Sequence, residues 1–330
     1  MALVKHIIGG ASAPASPQVK TITVDDESVG QRLDNFLIRH LKGVPKTHVY
    51  RIIRSGEVRV NKGRASADTR VSAGDAIRIP PMRVSEKMAE KLENPAPGRE
   101  FPILLEDEHF MAIDKPSGVA VHGGSGVSFG VIEQLRQARP EAPFLELVHR
   151  LDRETSGILL VAKRRSALTQ VQNQFRERET DKVYLALVKG AWPANNKVID
   201  VSLHKYLLPD GERRVKVVPN DHPDAMRSIT LVKIAQKLEG YTLLEVTIKT
   251  GRTHQIRVHL ASQGHPIAGD EKYGDFELNK ALQKDGLKRM FLHAWKLQFH
   301  HPSTRKKVHL NAPLPPELQS FVDHVTPAPV

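Results

Sequence analysis

Asp152 stands in the run Val148-His149-Arg150-Leu151-Asp152-Arg153-Glu154-Thr155-Ser156-Gly157, with an arginine close on each side and a Ser-Gly turn just ahead. Neighbouring cations favour the charged form of a carboxyl group. An ionised carboxylate on a loop held by a rigid strand can serve as nucleophile or base. The strand is legible too: Ile158–Ala162 is a continuous apolar run. Taken alone, an aspartate so placed is more often a structural ion pair with Arg150 or Arg153, so its company has to decide.

Two other segments supply that company. In Thr250–Leu260, Thr253 reads as an N-cap, Ile256 and Leu260 form an i,i+4 apolar pair, and Gly264 with Pro266 reads as a stop. This puts Arg252 at the mouth of a helix and Arg257 inside it, where an arginine can reach a buried carboxylate and fix its geometry. In Asp181–Gly190, period-two alternation places Tyr184 opposite Val183, Leu185 and Leu187. A tyrosine there is usually core, but it can also stack on a base and take part in proton transfer.

Other chemistries find no support. His254 and His259 are five apart, poor spacing for one helical face, and no HExxH pattern occurs, so no metal is assigned. Gly123–Gly126 lacks the ending of a phosphate loop. Lys115-Pro116-Ser117-Gly118 reads as a strand end plus a turn, and His122 beside it as structural.

The elements that must position these residues follow from the rest of the chain. Its 330 residues carry 49 Lys/Arg against 37 Asp/Glu, a net charge of +12, which points to a polyanionic partner. Cysteine is absent, which excludes disulfides, thiolate metal sites and cysteine nucleophiles and fits a reducing compartment. No apolar run approaches the ~18 residues of a membrane helix. Residues 1–20 read as a disordered tail.

Residues 29–83 hold twelve Lys/Arg and four acids, a net of +8. So local a concentration marks a binding module. Leu33, Phe36, Leu37 and Leu41 recur at helical spacing. A second helix runs from an N-cap at Thr47 through Val49, Ile52 and Ile53 to a stop at Gly56, with Arg51 and Arg54 on one face. Strands at Glu57–Val60 and Ala76–Ile79 flank an Asn61-Lys62-Gly63 turn. Lys62 and Arg64 extend the basic face. This module, taken as residues 21–83, resembles the S4 RNA-binding domain. Residues 84–100 read as a linker. Strand runs from Phe101 onward, at Phe110–Ile113, Glu146–Val148, Ile158–Ala162, Val183–Val188, Ile229–Ile234 and Leu243–Ile248, alternate with a few helices, one capped by Ser166. They predict an α+β catalytic domain over 101–325, on a mixed or antiparallel sheet flanked by helices and loops.

The stretches HRLDRETSGILLVAK (149–163), DKVYLALVKG (181–190) and GRTHQIRVHLASQGHPIAGDEKYG (251–274), in that order, resemble the RluA-type pseudouridine synthases. The resemblance implies that Asp152 is the catalytic carboxylate, that Tyr184 stacks on the target base and assists proton movement, and that Arg257 pairs with Asp152. It implies that Arg150 helps fill the gap left by a flipped nucleotide, and that RNA contacts extend to Arg252 and the basic module, Arg51, Arg54, Lys62 and Arg64 among them. It implies uridine isomerisation in 23S ribosomal RNA of the large subunit, or in its precursor, by a cytoplasmic monomer of bacterial type, with no membrane partner. Isomerisation involves no redox change and no group donor, so no cofactor is expected. Transfer RNA remains an alternative substrate, and a non-catalytic RNA-binding ribosome-assembly factor an alternative role. A glycoside hydrolase would need a second carboxylate set opposite Asp152, and Glu154 gives no sign of standing there.

Overall fold

The computed structural model describes residues 18–41, 44–82, 96–123 and 129–327. The chain divides into two compact units, residues 1–95 and 96–330. Most of the expected tail (1–20) and linker (84–100) lies outside the described residues.

The first unit contains β1 (Lys20–Thr23), α1 (Leu33–His40), α2 (Lys46–Arg54), β2 (Arg59–Val60) and β3 (Ala76–Ile79). Its strands form an antiparallel sheet in the order β1-β3-β2. The predicted apolar stripes are the core: Leu33, Phe36 and Leu37 of α1 pack with Val49, Ile52 and Ile53 of α2 and with Ile77 and Ile79 of β3. The expected cap at Thr47 is wrong. Pro45 caps α2 at φ −56°, and its carbonyl accepts from the Val49 N–H, so the ring pre-sets the first turn and Thr47 falls inside it. Gly56 ends the helix at φ +75°, as expected. Asn61 and Lys62, at φ 50° and 68°, make the turn that reciprocal Val60–Gly63 hydrogen bonds close.

The second unit runs β4 (Ile103–Glu106), β5 (Phe110–Lys115), α3 (Val131–Ala138), β6 (Glu146–Leu147), β7 (Ser156–Ala162), α4 (Arg165–Glu177), β8 (Asp181–Lys189), β9 (Val198–Leu207), β10 (Arg213–Val218), β11 (Met226–Leu238), β12 (Tyr241–Ile248), α5 (Gln255–Ser262), α6 (Phe276–Lys284), β13 (Leu292–His300), β14 (Lys307–Asn311) and α7 (Pro316–His324). An eleven-stranded sheet follows the order β10-β9-β11-β12-β8-β13-β7-β5-β4, with β14 on β13 and β6 on β7. Among the described strands only the β7–β13 pair is parallel, so the sheet is mixed. Every residue of β7 is buried, which is why it reads as an unbroken apolar run.

Two further caps differ from expectation. Arg164 rather than Ser166 precedes α4, because its guanidinium is tied to the Glu108 carbonyl and carboxylate and holds the chain extended up to that residue. His254 rather than Thr253 precedes α5. There the Gln255 side chain ties down the turn that leads into the helix, its Oε1 accepting from the Arg252 N–H at 3.1 Å and the Thr250 hydroxyl at 2.7 Å.

Candidate active site

Asp152 lies on the loop that enters β7, and the neighbouring backbone is pinned. The Lys115 side chain, fully buried at the end of β5, donates to the carbonyls of Pro116 (2.8 Å), Val119 (2.9 Å) and Arg153 (3.1 Å). Burial lowers its pKa to about 7. The Ser117 hydroxyl donates to the Glu154 carbonyl at 2.7 Å. On the other side, the His149 ring stacks on Phe175 and its Nε2 accepts from the Leu160 N–H. Gly157 closes the loop at φ +106°, where a Cβ would sit 2.3 Å from the Ala294 carbonyl oxygen. Only glycine lets β7 start hard against β13.

The cation nearest Asp152 is not the one its sequence neighbours suggest. Arg153 pairs with Glu154 at 2.6 Å. Arg257, from the first turns of α5, reaches Asp152 Oδ2 with Nη1 at 3.4 Å. Its main partner is Asp270, through two hydrogen bonds of 2.7 Å. Burial pulls the Arg257 pKa down, but the Asp270 and Asp152 carboxylates outweigh it and hold it above the usual arginine value. Burial would raise the Asp270 pKa, but Arg257 and the Lys272 and Tyr273 N–H groups keep it below the ordinary carboxylate range.

Tyr184 sits mid-strand on β8, half-buried, packed with Ala186 and Val188 on one face of the sheet, as the alternation predicts. Burial and the Asp152 charge push its phenol pKa up, so it is a neutral hydroxyl. Asp152, Tyr184, Arg252, His254 and Arg257 line a cleft of about 220 Å³ with an apolar floor of Ile248 and Leu292. Arg150 and Arg252 are exposed on its rim.

Three residues at this site carried no readable role in the sequence: Asp270, His254 and Tyr273. His254 Nδ1 lies 2.7 Å from the Tyr273 hydroxyl, and its Nε2 lies 3.9 Å from Asp152 Oδ2. Burial lowers the His254 pKa to about 4. Lys115 was missed for the same reason, since an isolated polar residue shows no sign in sequence of which chain it will meet.

The family model for RNA pseudouridylate synthase matches residues 109–262, and that for the S4 domain matches 31–77. Proteins named ribosomal large subunit pseudouridine synthase C are similar over nearly the whole chain. That of Pasteurella multocida is 51% identical over 92% of this chain and 93% of its own, and that of Escherichia coli 49% identical over 91% and 94%. The chain belongs to the RluA-type pseudouridine synthase family. Solved structures agree: human RNA pseudouridylate synthase domain containing 4 matches with a TM-score of 0.56 at 27% identity, covering 72% of this chain and 95% of that one. Human RNA pseudouridylate synthase domain containing 1 gives 0.55 at 26%, over 71% and 91%.

As a pseudouridine synthase with an S4 domain, the enzyme also presents a basic module. Arg54 and Arg64 border a groove with Tyr50, whose hydroxyl donates to the buried Asp34 carboxylate at 3.0 Å. Arg51 is exposed and contacts His48 Nε2 at 3.1 Å, and Lys62 is exposed on the turn after β2. The pseudouridine synthase unit brings Asp152, Tyr184, Arg257, Arg150 and Arg252 to one cleft. The four basic residues of the S4 unit divide between its groove and the surface beside it.

Proposed function

We propose that this enzyme isomerises uridines of large-subunit ribosomal RNA to pseudouridine, with Asp152 as its catalytic carboxylate. The observation that carries this is Asp152 at the wall of a small cleft with a buried arginine 3.4 Å from one of its oxygens. The names of its relatives support the choice of RNA. The cleft of about 220 Å³ adjoins a wider one of about 700 Å³ that Arg150, Asp152, His254 and Arg257 also line, room for a base and the chain that carries it.

The uridine N1–C1′ bond breaks, the base turns, and C5 bonds to C1′. The C5 proton departs and N1 gains one, so atoms balance with no external donor. Attack at C1′ and abstraction at C2′ both use the same carboxylate. The base must first leave its stack, at a cost of a few kcal/mol. Tyr184 beneath the base offsets roughly 1–3 kcal/mol of this, and its hydroxyl assists proton movement. Arg150 fills the gap the base leaves. Residues 21–83 hold the RNA through its phosphates, and residues 101–325 carry the chemistry.

The test is tritium release from 5-labelled uridine in large-subunit ribosomal RNA, wild type against Asp152→Asn. The substitution should abolish release. Equal release from both proteins would sink the assignment.

A further inference from the structure

We infer that His254 is a positioning residue for Asp152: its Nε2–H, oriented by the Tyr273 hydroxyl, acts with Arg257 on a single oxygen of the carboxylate and leaves the other for the reaction. This rests on the reading of Asp152 as the catalytic group.

The geometry selects the tautomer. The Tyr273 oxygen accepts from the Val215 N–H at 3.0 Å and lies 2.7 Å from His254 Nδ1. With that N–H already donated to it, the hydroxyl turns its own proton to Nδ1. The imidazole proton then sits on Nε2, facing Asp152 Oδ2 at 3.9 Å. The opposite tautomer would aim a lone pair at a carboxylate and leave the Tyr273 proton without an acceptor among the described residues. Arg257 Nη1 addresses the same Oδ2 at 3.4 Å. Both contacts are longer than good hydrogen bonds, as catalytic contacts often are before substrate closes the site. No described donor approaches Oδ1.

The backbone marks His254 as well. It sits at φ +51°, left-handed, immediately before α5. Non-glycine residues held there are uncommon and cluster at functional sites. Burial keeps the ring neutral, with the charges of Asp152, Arg257, Lys272 and Asp270 around it. A neutral ring presents its N–H toward Asp152 without neutralising it. Tyr273 is fixed in turn by packing with Leu203, Val215 and Val258, which makes β10 part of the support.

Two substitutions separate positioning from folding. Asparagine accepts the left-handed backbone and can replace Nδ1 toward Tyr273, but it is too short to present a donor to Asp152. Glutamine can place its amide N–H where Nε2 stood, at some backbone cost. Single-turnover rates on ribosomal RNA, KM and melting temperature are measured for both, beside Asp152→Asn. We expect His254→Asn to melt like wild type, keep its KM and lose about tenfold in rate, the worth of one ordinary hydrogen bond. His254→Gln should recover to within about threefold of wild type despite a lower melting temperature. Tyr273→Phe should add little to His254→Asn, because the two act through one contact. A full rate in His254→Asn beside an inactive Asp152→Asn would overturn the inference and leave the role of Asp152 intact. Rates that follow melting temperature, with glutamine worse than asparagine, would also overturn it. Activity in Asp152→Asn would overturn both readings.

Discussion

Arg257 and Asp270 meet in two 2.7 Å hydrogen bonds with both side chains almost wholly out of solvent, at 5% and 1% exposure. The pair fixes the guanidinium plane, so the third nitrogen has one direction left, toward Asp152. Removing one member of such a pair strands the other charge in the interior.

Asp270→Asn should therefore cost stability and rate together. An amide can accept only one of the two bonds and cannot balance the charge. We expect a loss of about 3 kcal/mol in urea unfolding. Tritium release should fall in the same variant, because Arg257 loses its aim. An unaltered unfolding midpoint would show the pair to be dispensable.

Lys115→Met removes a donor from three carbonyls at once. The Arg153 carbonyl keeps the Gly118 N–H at 2.9 Å, so the carbonyls of Pro116 and Val119 lose their side-chain donor, and an acceptor left unmade away from water costs about 1–3 kcal/mol. Stability should drop by at least about 2 kcal/mol by denaturant titration. The turnover rate should fall more than RNA affinity, since Lys115 ties the residue next to Asp152.

The pH dependence of stability should carry the mark of His259. Its ring is fully buried, neither nitrogen has a partner among the described residues, and burial lowers its pKa from 6.5 to about 4. The unfolded chain takes up a proton near pH 6.5, and the folded chain only near pH 4. In that window the unfolded state binds more protons, so stability falls as the pH drops from 6.5 to about 4. The effect is worth up to about 3 kcal/mol for this ring. His259→Leu should unfold with a shallower pH slope across that window, read from urea midpoints at pH 4 to 7. An identical slope would exclude the ring.

Salt should report the S4 unit. Arg54 and Arg64 border one groove, and if both meet phosphates their loss releases two fewer counterions. The slope of log affinity for ribosomal RNA against log salt should flatten by roughly 1.4–1.8 in Arg54→Ala/Arg64→Ala. An unchanged slope would put these side chains off the phosphate path.

Contiguous patterns are readable in the sequence. The apolar stripe of α1, the fully buried β7 and the two-faced β8 are local periodicities, and local periodicity survives folding. The Asp152 loop was legible because it is a single unbroken string. What escaped depends on closure between distant segments. Asp270 and Tyr273 lie in a polar stretch that reads as loop, and their roles exist only once α5 and β10 approach. The three misplaced caps share one cause: Thr47, Ser166 and Thr253 have good capping side chains, but Pro45, the Arg164–Glu108 tie and Gln255 set those helix starts. Strand β13 announces itself weakly because β7 and β8, the two strands it lies between, are more than a hundred residues away in the chain.

The parallel register of β7 and β13 sets Ser156 opposite His293. The Ser156 hydroxyl meets His293 Nδ1 at 2.8 Å across a separation of 137 residues. A protein is made from its N-terminus, and domains fold as units when their contacts become available. The strand that begins four residues after Asp152 therefore lacks one neighbour until nearly nine-tenths of the chain has been synthesised. The S4 unit is complete long before that. A growing chain can hold RNA well before it can alter it.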